Sequence, residues 1–181
     1  MKTHVVIVAL IFFMHGCSEP KSEELYNAPV KVEHETWKVV SHKDEMRETE
    51  DKWLSLRSDN SANLSSPYNG DNRLTLHVID STSRNPEIVL IIDDGQYDCD
   101  SMYGCYISTK FGNSNIQELH FTVDNYDGSS GKVLRFQGKS EAFVQNIRAF
   151  KQIMVEIPFY KDGYRQFKFN TNGFSEKEKS L

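Results

Sequence analysis

From residue 37 onward the dominant hydrophobic period is two, which predicts β-strands. In the clearest case Leu74, Leu76 and Val78 alternate with polar neighbours, and this pattern predicts a half-buried strand. Residues 88–92 are apolar on both faces, which is typical of a central strand. Turn-forming residues separate these short runs. The pattern therefore predicts a mainly β fold: an antiparallel sandwich or open barrel of about eight strands with one late α-helix.

That helix is predicted between Ser140 and Lys151, where the period changes. Phe143, Ile147 and Phe150 recur at positions i, i+4 and i+7, so they share one face of a helix and we expect them to face the core. Ser140 is the predicted N-cap, because its hydroxyl can accept a hydrogen bond from the first turn.

The start of the chain has a different pattern. Residues 5–14 form an apolar run of ten residues without charge, after a short polar opening that contains Lys2. Such a layout predicts a signal peptide over residues 1–16. The run is shorter than the roughly 20 apolar residues that span a bilayer. The alternative is a buried N-terminal helix, but nothing amphipathic marks the run.

The end of this run resembles a bacterial lipoprotein box at Met14-His15-Gly16-Cys17. The resemblance implies that Cys17 becomes the lipidated first residue. The next residue is Ser18, and a serine at this position resembles the pattern of lipoproteins that are sent to the outer membrane. We therefore expect a bacterial envelope protein, lipid-anchored and facing the periplasm.

The composition divides the rest of the chain. Residues 18–33 are polar, charged and without period, as in a flexible tether. We predict a signal peptide (1–16), the lipidated Cys17 with its tether (17–34), a β-rich domain (35–174) and a charged tail (175–181).

Two further cysteines, Cys99 and Cys105, flank a short segment of five residues. Export places them in an oxidising compartment, where a local pair forms a disulfide. The alternative is two free buried thiols. A zinc site is not indicated, because no histidine lies near this pair. We predict no metal and no cofactor.

An acidic group follows the predicted central strand. It consists of Asp93, Asp94, Asp98 and Asp100. Carboxylates at close spacing can bind Ca²⁺, but this group lacks the EF-hand spacing. The other interpretation, which the spacing favours, is a solvated turn at the end of a very apolar strand.

The histidines of the predicted domain and tether are His34, His42, His77 and His120. None is spaced as a metal pair, and none has an obvious Ser or Cys nucleophile nearby in sequence. We therefore predict no catalytic residue. A triad assembled across the fold remains an alternative.

The formal net charge of −5 and the absence of a basic stripe argue against nucleic acid as a partner, since Lys and Arg supply most of that affinity.

Several short motifs resemble, in their order, a group of small bacterial and prophage-associated exported proteins of unassigned function. The last of them is also similar to accessory lipoproteins of type VI secretion, of the VasI/TagO kind. The resemblance covers residues 37–174 and implies the fold and the envelope location. The motifs are Trp37, Asp44-Glu45-Met46, Leu54-Ser55-Leu56-Arg57-Ser58, Pro67-Tyr68-Asn69-Gly70, Gly95-Gln96-Tyr97, the two cysteines, and the hairpin from Val155 through Gly163 to Phe169.

These features predict a non-enzymatic binding or accessory lipoprotein that acts through protein contacts, as a secretion accessory, immunity or exclusion factor. The alternative is an envelope hydrolase whose site is assembled from His and Asp residues. A flat sheet face with exposed aromatic side chains would favour the binder. A pocket with converging histidines and carboxylates would favour the hydrolase.

Overall fold

The computed structural model describes residues 34–68, 70–124 and 131–181. The predicted signal peptide, Cys17 and all of the tether except His34 lie outside these residues. No helix among the described residues is long and apolar enough to cross a membrane. In chain order the elements are β1 (Lys38–Asp44), β2 (Thr49–Ala62), β3 (Asn72–Ile79), β4 (Glu87–Ile92), β5 (Cys105–Phe111), β6 (Gln117–Asp124), β7 (Val133–Phe136), α1 (Ser140–Ala149), β8 (Gln152–Phe159), β9 (Gly163–Asn170) and α2 (Phe174–Glu178).

The nine strands of the described residues form one sheet in the order β1-β2-β3-β4-β7-β6-β5-β8-β9. Every ladder in it is antiparallel. The predicted fold class, mainly β and antiparallel, is confirmed, and the open sheet is consistent with either a sandwich or a barrel. The described residues contain nine strands where about eight were predicted, and two short helices where one was predicted.

The sheet curls until β2 lies against β9. The contact is made by a side chain and not by a ladder. Asn60 donates through Nδ2 to the carbonyl of Gln166 at 2.8 Å, and its Oδ1 accepts from the backbone N–H of Lys168 at 2.8 Å. The register of β2 shifts between Arg57 and Ser61. Such an irregularity redirects side chains, and Asn60 lies within it.

The alternation of the strands defines the core as predicted. Leu74, Leu76 and Val78 of β3 are almost fully buried, and the residues between them are half-buried. In β4, the fourth strand of the sheet, Val89 is buried on the face opposite the core residues. Burial on both faces is what a central strand requires.

The late helix is present as α1, but it ends at Ala149, two residues before the predicted end, and Phe150 is its extended C-cap. Phe143 and Ile147 are buried, and Phe150 is partly buried against the core. The predicted cap is wrong by one residue. Lys139 is the N-cap, with no side-chain cap hydrogen bond, and Ser140 is the first helical residue because its backbone already follows the helix.

The segment predicted as a charged tail (175–181) begins instead as helix α2. Phe174 buries its ring against Trp37, with the ring centroids 4.9 Å apart. Glu178 then forms an ion pair with Arg148 of α1 at 2.7 Å. Because both contacts hold the segment to the domain, the packed region extends beyond residue 174.

Candidate interaction surface

The predicted acidic group does not converge on a cation site. The carboxylate of Asp93 pairs with Arg57, and that of Asp94 lies 2.6 Å from Nζ of Lys132. Among the described residues no three His, Cys, Asp or Glu side chains are placed to hold a metal ion. The structure therefore favours the second interpretation of this group, a solvated turn in which Asp93 and Asp94 are paired.

His34 lies within hydrogen-bond distance of a carboxylate. Nδ1 of His34 lies 2.9 Å from Asp59, whose other oxygen accepts from the backbone N–H of Glu35. A polar cleft beside this pair is otherwise lined by Lys151, Gln152, Asn170 and Asn172. A Ser-His-Asp arrangement needs a hydroxyl or thiol next to the imidazole, and these lining side chains supply amides and an amine.

His77 lies on the outer face of the sheet, as the alternation predicts. Its Nδ1 accepts a hydrogen bond from Nε1 of Trp53 at 3.0 Å. Burial lowers the pKa of His77, so the ring is neutral near pH 7 and carries its proton on Nε2. The geometry assigns His77 to sheet packing.

The predicted disulfide is present and closes the loop between β4 and β5. Cys99 and Cys105 are bonded, with their Cα atoms 5.0 Å apart. Within the loop, Gly104 has φ of 72°, and a Cβ at this position would lie 2.0 Å from the carbonyl oxygen of Phe121. Only glycine lets the loop lie this close to β6.

A carboxylate also fixes the loop. Oδ1 of Asp100 accepts from the backbone N–H groups of Met102 at 2.8 Å and Tyr103 at 2.7 Å. The hydrogen bonds from Tyr103 and Met102 lower the pKa of Asp100. Nε2 of His120 donates to the carbonyl of Tyr103 at 2.7 Å. The loop is therefore held at both of its sides.

The loop holds its largest side chains in solvent. Met102 is 77% exposed and Tyr103 is 74% exposed. Tyr106, the second residue of β5, is 66% exposed and lies against the ring of His120, with 5.1 Å between centroids. Hydrogen bonds to the backbone of Met102 and Tyr103 fix the points from which these two side chains project.

The β8–β9 hairpin adds two more tyrosines at the same end of the sheet. Tyr160 is 50% exposed and Tyr164 is 66% exposed. The segment that leads into the loop runs beside the end of β8: Tyr160 donates its N–H to the carbonyl of Gln96, and Asp98 donates to that of Pro158, both at 2.9 Å. The hairpin and the disulfide loop are thus joined through their backbones.

We call Met102, Tyr103, Tyr106, Tyr160 and Tyr164 the tyrosine surface. Exposed aromatic side chains on a fixed backbone are typical of protein interaction sites. Tyrosine offers a large contact area and a hydroxyl, and it loses little conformational entropy on binding. Chemically, the arrangement can bind a partner.

The sequence did not identify these residues as a site. One signal was available: Tyr106 occupies the polar phase of β5, since Ile107 and Thr109 are the buried positions. An aromatic residue on the solvent phase of a strand indicates an exposed ring. The exposure of Tyr103 has no such signal, because it depends on the shape of the loop.

Cys17, the predicted lipidation site, lies outside the described residues. Comparison with protein-family models, with curated proteins and with solved structures finds no match to this chain.

Proposed function

We propose that this chain is an envelope-anchored, non-enzymatic binding lipoprotein that holds a protein partner on its tyrosine surface. Such a protein would act as a secretion accessory, immunity or exclusion factor. The single observation that supports the proposal is the grouping of four exposed tyrosines on two segments that are tied together by backbone hydrogen bonds.

These rings are at least half exposed, so they contribute little buried apolar surface to the domain. Each would gain free energy by burial, at roughly 25 cal/mol per Å² of apolar surface. The disulfide, the Asp100 cap and Gly104 instead fix the loop in a conformation that leaves Met102 and Tyr103 exposed to water. Tyrosine is among the residues that most often carry a large share of the binding energy in protein interfaces.

The proposal is tested by site-specific photo-crosslinking in cells that export the full chain. A benzophenone amino acid replaces Tyr103 in one strain, Tyr164 in a second and Gln145 in a third. Gln145 is exposed on α1, so it reports encounters that do not use the tyrosine surface. We expect the same adduct from positions 103 and 164, and none from position 145.

A variant that lacks part of the tyrosine surface provides the control. Replacing Tyr106 and Tyr160 by serine should abolish the adduct from position 103 while the amount of exported protein is unchanged. Adducts of equal yield from all three positions, or an adduct that survives the double serine variant, would show that the tyrosine surface is not the binding site.

The anchor is tested separately. Metabolic labelling with a palmitate analogue should mark the full chain and should not mark Cys17→Ser. An unlabelled precursor that remains soluble would contradict the anchor without affecting the binding surface.

A further inference from the structure

β1 presents an edge that no other described strand covers. Within the described residues β1 pairs with β2 alone and stands at one end of the sheet order. Its seven residues contain neither proline nor a register shift. Proline, bulges and charged side chains commonly protect exposed edges, because an unprotected edge is a template for another strand. Of these devices β1 has only its charges, Lys38, Lys43 and Asp44, so the charge pattern decides which strand can pair with it.

The edge belongs to a hairpin arm, residues 41–52, that extends beyond the rest of the sheet. The pairing of β2 with β3 begins only at Trp53, so Thr49 to Lys52 pair with β1 and with no other described strand. Every residue of the arm is exposed except Asp44, which is half-buried. The arm therefore contributes little to the core.

The tip of the arm is nevertheless held in shape. The carboxylate of Asp44 accepts from the backbone N–H groups of Met46 at 2.9 Å and Arg47 at 3.0 Å, and from the Arg47 guanidinium at 2.6 Å. A two-stranded ribbon without a core is only marginally stable in water. The hydrogen bonds to Asp44 restrain the turn that joins β1 and β2, and so they stabilise the extended conformation of the arm.

The two ends of β1 carry opposite charges, Lys38 at the first and Asp44 at the last. Two antiparallel copies overlap along all seven residues only when Ser41 lies on the two-fold axis. Lys38 then stands opposite Asp44 of the second copy, and this pair occurs twice. Both residues are even-numbered and so lie on one face of the strand. Three hydrogen bonds to Asp44 leave about one of its four acceptor positions for a lysine.

We infer that β1 pairs edge to edge with β1 of a second copy of this chain, in the register that places Ser41 opposite Ser41. The second copy is favoured over an unrelated strand because the unlike charges coincide at full overlap. Seven paired residues make a small interface, which is weak between free molecules. A shared membrane surface would raise the local concentration and favour the pair.

Cysteine crosslinking tests the register in cells that co-produce two differently tagged full chains. In an antiparallel pair, directly opposite Cα atoms are about 4.5–5.5 Å apart, within the range of a disulfide. Ser41→Cys should therefore give a mixed-tag adduct on mild oxidation. Lys43→Cys is the matched control on the same strand and face. Its two copies would lie four residues apart, roughly 13 Å, so we expect at least about tenfold less adduct.

A charge variant supplies a second measurement. Lys38→Glu would face Asp44 of the partner copy, so the Ser41→Cys adduct should fall, whereas Lys139→Glu, the same charge change at the start of α1, should leave it unchanged. Equal yields from Ser41→Cys and Lys43→Cys, an adduct with a different protein, or no adduct at all would overturn the inference. None of these results depends on the tyrosine surface.

Discussion

The two ends of the curled sheet use aromatic side chains in opposite ways. β5 connects them, since Phe111 lies at one end of the strand and Tyr106 at the other. At the first end Phe143 of α1 packs against the rings of Phe111 and Phe136, with centroids 5.1 and 5.3 Å apart. At the second end the tyrosines point into solvent. We therefore expect the helix end to determine stability and the tyrosine end to determine binding.

The largest expected effect is a loss of stability from a substitution at the helix end. Ile147→Asp removes a buried side chain, 1% exposed, and places an unpaired charge in the core. We expect a loss on the order of 4 kcal/mol in the free energy of unfolding, which is a large fraction of a typical domain's stability. Thermal melting by circular dichroism measures it.

The control for this variant is Gln145→Asp on the exposed face of the same helix, which should stay within about 0.5 kcal/mol of the wild type. An Ile147→Asp protein with unchanged melting would show that α1 does not stabilise the domain.

The next effect tests whether the tyrosine end also contributes to stability. Replacing Cys99 and Cys105 together by serine removes a short covalent loop. The chain-entropy model predicts a loss of up to ~2–3 kcal/mol, because the unfolded chain regains freedom. Denaturant unfolding monitors the change. Before mutation, a thiol assay on protein purified without reductant should find neither cysteine free; a reactive pair would contradict the disulfide.

A smaller effect concerns the loop alone. The pKa of Asp100 lies below its usual value of 3.8, because its carboxylate accepts the two backbone hydrogen bonds. Because the pKa of Asp100 is lower in the folded state, its carboxylate stabilises the folded loop fully above pH 3.8. This stabilisation is lost as the pH falls through the pKa of the folded state. The amide chemical shifts of Met102 and Tyr103 should therefore change together in acid, below about pH 4.

Asp100→Asn is the matched control for this titration, since an amide does not titrate there. The same acid-dependent shifts in the Asn variant would assign them to another group.

The smallest expected effect on stability is at the tyrosine surface itself. Tyr103→Ser combined with Tyr164→Ser should change the free energy of unfolding by no more than about 0.5 kcal/mol per site, because both rings are mainly in solvent. Chemical denaturation provides the measurement. A loss comparable to that of the cysteine variant would mean that the rings are structural and would remove the contrast between the two ends.

The sequence predicted the strands better than their order. The alternation of Leu74, Leu76 and Val78 is a local property, and burial follows it. The pairing of β4 with β7 joins Leu90 to Leu134, and no local period encodes a contact between such distant residues. The helix α2 was missed because five residues are too few for a helical period to be visible.

The candidate site was predictable only in part. The disulfide followed from the cysteine count and the expected compartment. The outward position of Tyr106 follows from strand alternation. The position of Tyr103 depends on the Asp100 cap, on Gly104 and on the His120 hydrogen bond, which are features of a folded loop rather than of a pattern.

The contact between β2 and β9 also has a consequence for how the domain folds and opens. Asn60 reaches residues 106 and 108 positions away in the chain, so the loop that it closes is among the longest in the domain. The entropy cost of closing a long loop must be met before its contacts form, which slows such steps. The β2–β9 contact should therefore form late. Because two side-chain hydrogen bonds span it in place of a ladder, it should also be among the first to open in native-state hydrogen exchange. The amide of Lys168 should exchange before those of β3 and β4 at the centre of the sheet.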